Sequence, residues 1–346
     1  MMPRTSSRPR LTLIHILGLC AAVALTAARA AHAERLELRI ASLAPSGSPW
    51  MNLLDKSASE AHEMTRGRVS LKYFEGGQQG DERDFVRKIK LGQLDGAAVT
   101  AVGLAMIDES IRVLELPMMF ASVEEFDYVA DKVWPYFQKK FDKKGFKLTE
   151  RGEVGWIYIL SKTKMEKLDD LRRQKLWLWG DDQVVGAMFK KLGLNGVPLG
   201  VPEVDAALSS GKIDACYSSP VAAVALQWYS KVKFMTSMPI GFAIGATVVS
   251  NDAYTKVSPE DVRTLTELNR STSRRLRKLI RKANEDATSV MSRKGVTLVE
   301  TPSATVDEIT KQATELWYQL AGKVYSKDEL KMVLDARGEY RTKHKR

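Results

Sequence analysis

Histidine and cysteine are the scarcest reactive residues in this chain, which has four and two of them in 346 residues. Two of the histidines, His15 and His32, and one cysteine, Cys20, fall within the first 33 residues. That stretch has a basic opening (Arg4, Arg8, Arg10), an apolar run over 11–25 and the small-x-small triplet Ala31-His32-Ala33. This is the pattern of a secretory leader cleaved after Ala33, with Glu34 as the mature N-terminus. Leu19 precedes Cys20 where a lipoprotein signal wants a small residue, which argues against lipid attachment. The mature chain is therefore expected to be exported. No other stretch is long and apolar enough to span a bilayer.

With the leader gone, only His62 and His344 remain, so Ser-His-Asp, Cys-His and histidine-rich metal arrangements are not expected. Only Cys216 is left, which excludes an intramolecular disulfide. A mature chain of about 313 residues (346 less 33) must then hold together by burying a large core. Walker, Rossmann and zinc-ligand spacings are missing, so neither cofactor nor metal is expected. The acidic pair Asp181-Asp182 reads as a helix start. These gaps argue against an enzyme. The net charge of +11 drops to +7 when Arg4, Arg8, Arg10 and Arg29 leave. The densest basic cluster, 270–282, lies on one predicted helix as a solvated face, and no nucleic-acid partner is expected.

What is present is an alternation of apolar runs with helical periodicity, the signature of an α/β protein. Strands are expected near 36–41, 68–73, 93–99, 176–179, 197–199 and 212–217. Helices are expected from Ser48-Pro49 to about Thr65, over 80–90, over 181–192 with Gly193 as C-cap, and from Val201 to about Gly211. Leu91-Gly92-Gln93-Leu94-Asp95 and Ser210-Gly211-Lys212-Ile213-Asp214 echo one another at a helix-to-strand joint, which suggests two lobes of like topology facing a cleft. Ser258-Pro259-Glu260-Asp261 begins a helical pattern that runs to about Lys294, roughly 50 Å at 1.5 Å per residue. A helix that long suits a strut across both lobes.

Gln174-Lys175-Leu176-Trp177-Leu178-Trp179-Gly180 places Trp177 and Trp179 on one face of a short strand. Two adjacent indoles make either a core wedge or an aromatic wall for a ligand, and the sequence leaves both open. In two-lobed α/β proteins the ligand lies beyond the carboxyl ends of the strands. The loops expected there are 42–50, 74–80, 100–102, 155–158, 177–182 and 217–220.

Four segments on those elements carry a family resemblance. They are Ala44-Pro45-Ser46-Gly47-Ser48-Pro49, residues 74–82 (FEGGQQGDE), residues 91–95 with 114–120 (LGQLD, LELPMMF), and residues 203–214 (EVDAALSSGKID). In this order they resemble DctP-type periplasmic solute-binding proteins of the tripartite ATP-independent periplasmic (TRAP) transporters. The resemblance covers essentially the whole mature chain. It implies a two-lobed, type II periplasmic-binding-protein-like α/β fold, with crossover strands near 152–160 and 246–251. Lobe one would hold 34–154 plus a returning strand about 246–257, lobe two 155–245, and residues 258–346 would brace both.

The implied function is capture of a solute between the lobes and delivery to a membrane permease. The resemblance also exposes a departure. The family pattern over 170–176 is followed by an arginine that pairs with the ligand carboxylate, and this chain has Trp177 there. A second family arginine falls near Trp156 or Ile157, and the family asparagine at Ser218 or Ser219. The ligand is therefore expected to be apolar or aromatic rather than a simple carboxylate. Trp156, Trp177 and Trp179 would form the wall, with Tyr217, Ser218 and Ser219 orienting the ligand and Ser46, Gln79 and Thr100 facing them from lobe one. A sensor subunit of a membrane receptor, or less readily an exported hydrolase, are the alternative readings.

Overall fold

A computed structural model describes residues 35–180 and 182–344. The leader with its cleavage site, Cys20 and Asp181 lie outside the described residues. Among the described residues are ten strands, most of them separated by helices: β1 Leu36–Ser42, β2 Val69–Phe74, β3 Gly96–Thr100, β4 Phe146–Ser161, β5 Lys175–Trp179, β6 Asn195–Leu199, β7 Ala215–Ser218, β8 Phe234–Thr236, β9 Gly241–Ser250 and β10 Thr297–Val299. The spatial order is β2-β1-β3-β9-β4-β7-β5-β6, with β8 beside β4 and β10 beside β8. Parallel pairs β1–β2 and β1–β3 form one lobe, and parallel pairs β5–β6 and β5–β7 the other.

Two long antiparallel strands join the lobes. β4 pairs with β9 from Phe146↔Ser250 to Ile157↔Gly241, and then with β7 from Tyr158↔Ser218 onward. β9 in turn pairs with β3 on its other edge. The crossover expected near 152–160 is thus part of a 16-residue strand, and residues 155–158 belong to it rather than to a loop.

The echoed glycine–aspartate joints occupy equivalent places. Gly92 and Gly211 turn at φ +70° and +76°, a conformation glycine adopts without penalty. Asp95 then accepts from the backbone N–H of Arg39 on β1, and Asp214 from that of Lys175 on β5. Each backbone N–H of these aspartates returns a bond to the same partner residue, at 2.9 Å in both cases. Each lobe therefore registers its central strand through one carboxylate.

The long helix is Pro259–Arg293, capped by Ser258, whose Oγ accepts from Asp261 N–H at 3.1 Å. It packs against helix Pro49–Met64 of the first lobe, against β4, and against helix Pro220–Ala225 of the second. Its apolar face builds a cluster with members from both lobes: Leu53, Val221, Leu276, Ile280 and Ala287. Helix Ser303–Leu320 continues onto helix Gln183–Leu192, and helix Lys327–Lys343 returns to helix Val123–Lys143. Among the described residues no helix is long and apolar enough to cross a membrane.

Ile280 is fully buried in that shared cluster. Truncation there removes apolar contact and leaves a cavity, so Ile280→Ala is expected to cost about 2–5 kcal/mol. Urea unfolding would show this as a lower midpoint with an unchanged slope.

Candidate functional site

The lobes enclose a cavity of about 250 Å³ floored by the crossover strands, with the loop after β1 and the start of β7's following helix on its sides. Alternation on β5 turns Trp177 and Trp179 to the same side, with ring centroids 5.6 Å apart. Trp177 stacks on Tyr217 at 4.8 Å and 21°, and meets Trp228 edge-on at 5.2 Å. Its indole N–H donates to Leu199 O at 3.0 Å, and the side chain is 2 % exposed. Trp177 is therefore wedged into the second lobe's core while it also lines the cavity. Tyr217 Oη accepts from Trp179 N–H at 3.1 Å, and burial pushes the phenol well above its ordinary pKa, so it remains an O–H.

The polar lining is dominated by acids. Glu82 accepts from Thr100 N–H, Thr100 Oγ1 and Gly103 N–H at 2.7–2.9 Å. Burial pushes it up to about 8 against the pull of those donors. Glu153 is also raised by burial, and it accepts two bonds from Arg281 of the long helix at 2.8 Å. Glu115 accepts from Ile244 N–H at 2.6 Å, and burial raises it to about 7 despite the nearby Arg112. Glu150, pushed up to about 7 by burial, accepts from Thr247 Oγ1 at 2.8 Å.

Arg112 is a lining residue that the sequence reasoning missed. It sits on the short helix Glu109–Glu115, is 5 % exposed, and pairs with Asp182 of the other lobe at 2.9 Å. Burial opposes its charge, but Asp182 and Glu115 keep it protonated. Among the described residues its buried Nε has no hydrogen-bond partner. The signal available in sequence was a lone arginine within the apolar run Ile111-Arg112-Val113-Leu114, flanked by Asp108, Glu109 and Glu115. A second link between the lobes runs through Asp81, which accepts from Trp179 Nε1 at 3.1 Å and from Val201 N–H at 2.9 Å.

Of the residues expected from sequence, Thr100, Trp177, Trp179, Tyr217, Ser218 and Ser219 line this cavity. Ser219 Oγ caps helix Pro220–Ala225, and Ser218 Oγ donates to Ser219 O at 3.1 Å. Trp156, Ser46 and Gln79 are not among the lining residues. Trp156 packs edge-on against its cross-strand partner Phe242 at 5.1 Å, and Phe242 lines the cavity in its place. Ser46 is exposed on the loop after β1. Gln79 is turned away toward Lys88, whose Nζ donates to both its backbone O and its Oε1 at 2.9 Å.

Residues 40–324 match the family model described as DctP: bacterial extracellular solute-binding protein, family 7. Uncharacterized protein YiiZ of Salmonella typhimurium is 27% identical over 200 residues, 55% of this chain and 58% of that protein. The chain thus spans under two thirds of that relative's length. The 2,3-diketo-L-gulonate-binding periplasmic protein YiaO of Escherichia coli is 22% identical over 240 residues, 68% of this chain and 73% of that protein. The fold is similar to that of the sugar acid binding protein DctPAm from Advenella mimigardefordensis, solved with galactonate (TM-score 0.83, 21% identity, 88% of this chain and 98% of that one). It is also similar to DctP7 of Bordetella pertussis, an extracytoplasmic solute receptor binding pyroglutamic acid (TM-score 0.81, 18% identity, 87% and 99%).

Removing one member of a buried ion pair leaves the other charge uncompensated, at about 3–5 kcal/mol. Asp182→Asn keeps a capping oxygen for Val184 and Val185 N–H while deleting the charge that faces Arg112. The protein is expected to relieve the stranded guanidinium by parting its lobes. Small-angle scattering should then show a larger radius of gyration than for the parent chain. An unchanged radius would count against this pair as an interlobe tie.

Proposed function

The chain belongs to the DctP family of bacterial extracellular solute-binding proteins, and from that premise we propose that it captures a small solute between its lobes and hands it to a TRAP-type membrane permease. The observation that supports this most is that both lobes wall one cavity and are tied across it by Asp81–Trp179 and Arg112–Asp182. Closing the lobes brings the walls and these ties together. Opening them exposes the solute to a partner. No chemical step is required of the protein, and the exported chain would act in the periplasm.

The solute is proposed not to be a simple carboxylate. Trp177 stands where the family resemblance places an acid-binding arginine. Arg112, the one guanidinium among the described lining residues, is already engaged by Asp182 and faces Glu115 at 3.7 Å. An incoming carboxylate would have to displace Asp182, which is itself held by two backbone N–H groups. The rings of Trp177, Trp179, Tyr217 and Trp228 instead present apolar area suited to an apolar or aromatic-bearing solute. Thr100, Tyr217 and Ser218 are the proposed orienting groups, and Trp156, Ser46 and Gln79 leave the contact set.

Two measurements test this reading. Native mass spectrometry of protein purified from its host is expected to show a non-acidic solute released on denaturation, and recovery of a dicarboxylate or sugar acid would overturn the ligand class. For whatever solute is recovered, Trp177→Ala is expected to weaken binding at least tenfold by calorimetry. A change within twofold would remove Trp177 from the wall.

A further inference from the structure

We propose that the solute is an organic cation, an ammonium group on an apolar or aromatic body, with Glu150 as its counter-ion and the indole cluster against its stem. This deepens the solute-binding reading and rests on it.

The first support is charge. Among the described residues, Glu82, Glu115, Glu150, Glu153 and Asp182 line the cavity against Arg112 alone. Most of these acids are already committed: Glu153 to Arg281, Asp182 to Arg112, and Glu82 to three donors. Glu150 is different. It is 3 % exposed and accepts one hydrogen bond, from the neutral hydroxyl of Thr247. Arg275, whose positive charge acts on Glu150, spends its fork on Glu60 at 2.6 and 2.7 Å. Burial without a cation of its own pushes this carboxyl toward its neutral form. A ligand ammonium would supply the missing partner, whereas a ligand carboxylate would add another negative charge to the same space.

The second support is the aromatic wall. Indole rings bury apolar and aromatic surface favourably, which suits the stem of such a ligand. Trp177 and Trp179 line the same cavity as Glu150. One small molecule could therefore place its charge by the carboxylate and its body on the rings.

Proton linkage gives the proposal a distinctive signature. Glu150 is flanked by Thr247 on β9, Arg275 on the long helix and Tyr73 on β2, whose buried phenol has no hydrogen-bond partner among the described residues. Burial holds Glu150 at about 7. A bound cation favours its ionised form, so binding below pH 7 must release a proton, and affinity for a cation should fall on acidification toward pH 6.

The test compares three probes of one shape by calorimetry at pH 8: phenethylamine (charged), 2-phenylethanol (neutral) and phenylacetate (anionic). Phenethylamine is expected to bind at least tenfold more tightly than either of the others. Its binding heat at pH 6.5 should vary with buffer ionisation enthalpy in the sense of proton release. Glu150→Gln, checked for folding by circular dichroism, should abolish the amine's advantage over the alcohol. The order of the probes on the parent protein tests the proposal even where the variant fails to fold. An amine that binds no better than the alcohol, that fails to bind, or whose advantage survives Glu150→Gln would overturn the proposal. Binding of the alcohol or phenylacetate instead would sink the cation but keep solute capture. Failure of all three probes, with an empty cleft by native mass spectrometry, would take down both.

Discussion

The antiparallel ribbon of β4 and β9 is the constraint on which the rest of the molecule depends. One strand of the ribbon serves as a sheet member in both lobes, and the other closes the edge of the first lobe. Neither lobe can shift without bending it. The long helix lies directly on this ribbon and reads its middle. Arg281 holds Glu153, Asn284 Nδ2 donates to Val154 O at 3.0 Å, and Ser273 Oγ accepts from Arg151 N–H at 2.9 Å. Asn284 also accepts from Val221 N–H in the second lobe. A register shift between Glu153 and Gly155 falls in the same place. The bend that lets two sheets share one strand is thus pinned from above by side chains of a single helix.

The cavity follows from that geometry. The ribbon brings Glu150 and Glu153 to its floor, and burial raises both. The side walls add an aromatic cluster from the second lobe and a guanidinium from the first. The result is a space in which the one positive charge among the described lining residues is internally neutralised. A sugar acid binding protein solved with galactonate and a receptor binding pyroglutamic acid share the architecture at 18–21% identity, and the likeness is one of fold. Ligand class is set by a handful of lining groups, and those are this chain's own.

Much of the fold was legible in the sequence because its signals are local. Ser48-Pro49 and Ser258-Pro259 start helices where a capping hydroxyl precedes proline. The Gly92 and Gly211 joints end helices through positive φ and restart strands through an aspartate. The cavity was less legible because it is assembled from distant segments. The tryptophan pair announced itself by period-2 spacing, yet spacing could not say that Trp177 would be wedged into the second lobe's core and line the cavity at once. Gln79 was lost to Lys88, nine residues along, and Trp156 was displaced at the lining by its cross-strand partner Phe242. Arg112 lay in plain view within an apolar run, but only tertiary pairing across 70 residues to Asp182 gives it meaning.

Asp81 has one further consequence. Its carboxylate accepts from Glu82 N–H at 2.5 Å at the start of helix Glu82–Lys90, while the same two oxygens take Trp179 Nε1 and Val201 N–H from the opposite lobe. The helix end and the closure of the cleft therefore draw on a single group. Were the lobes to part, that carboxylate would lose its distant donors and be left to its own helix and to water. The backbone amide that such a parting would unmask is that of Val201, whose acceptor lies on the other lobe, so its hydrogen exchange would report on a motion of the whole molecule.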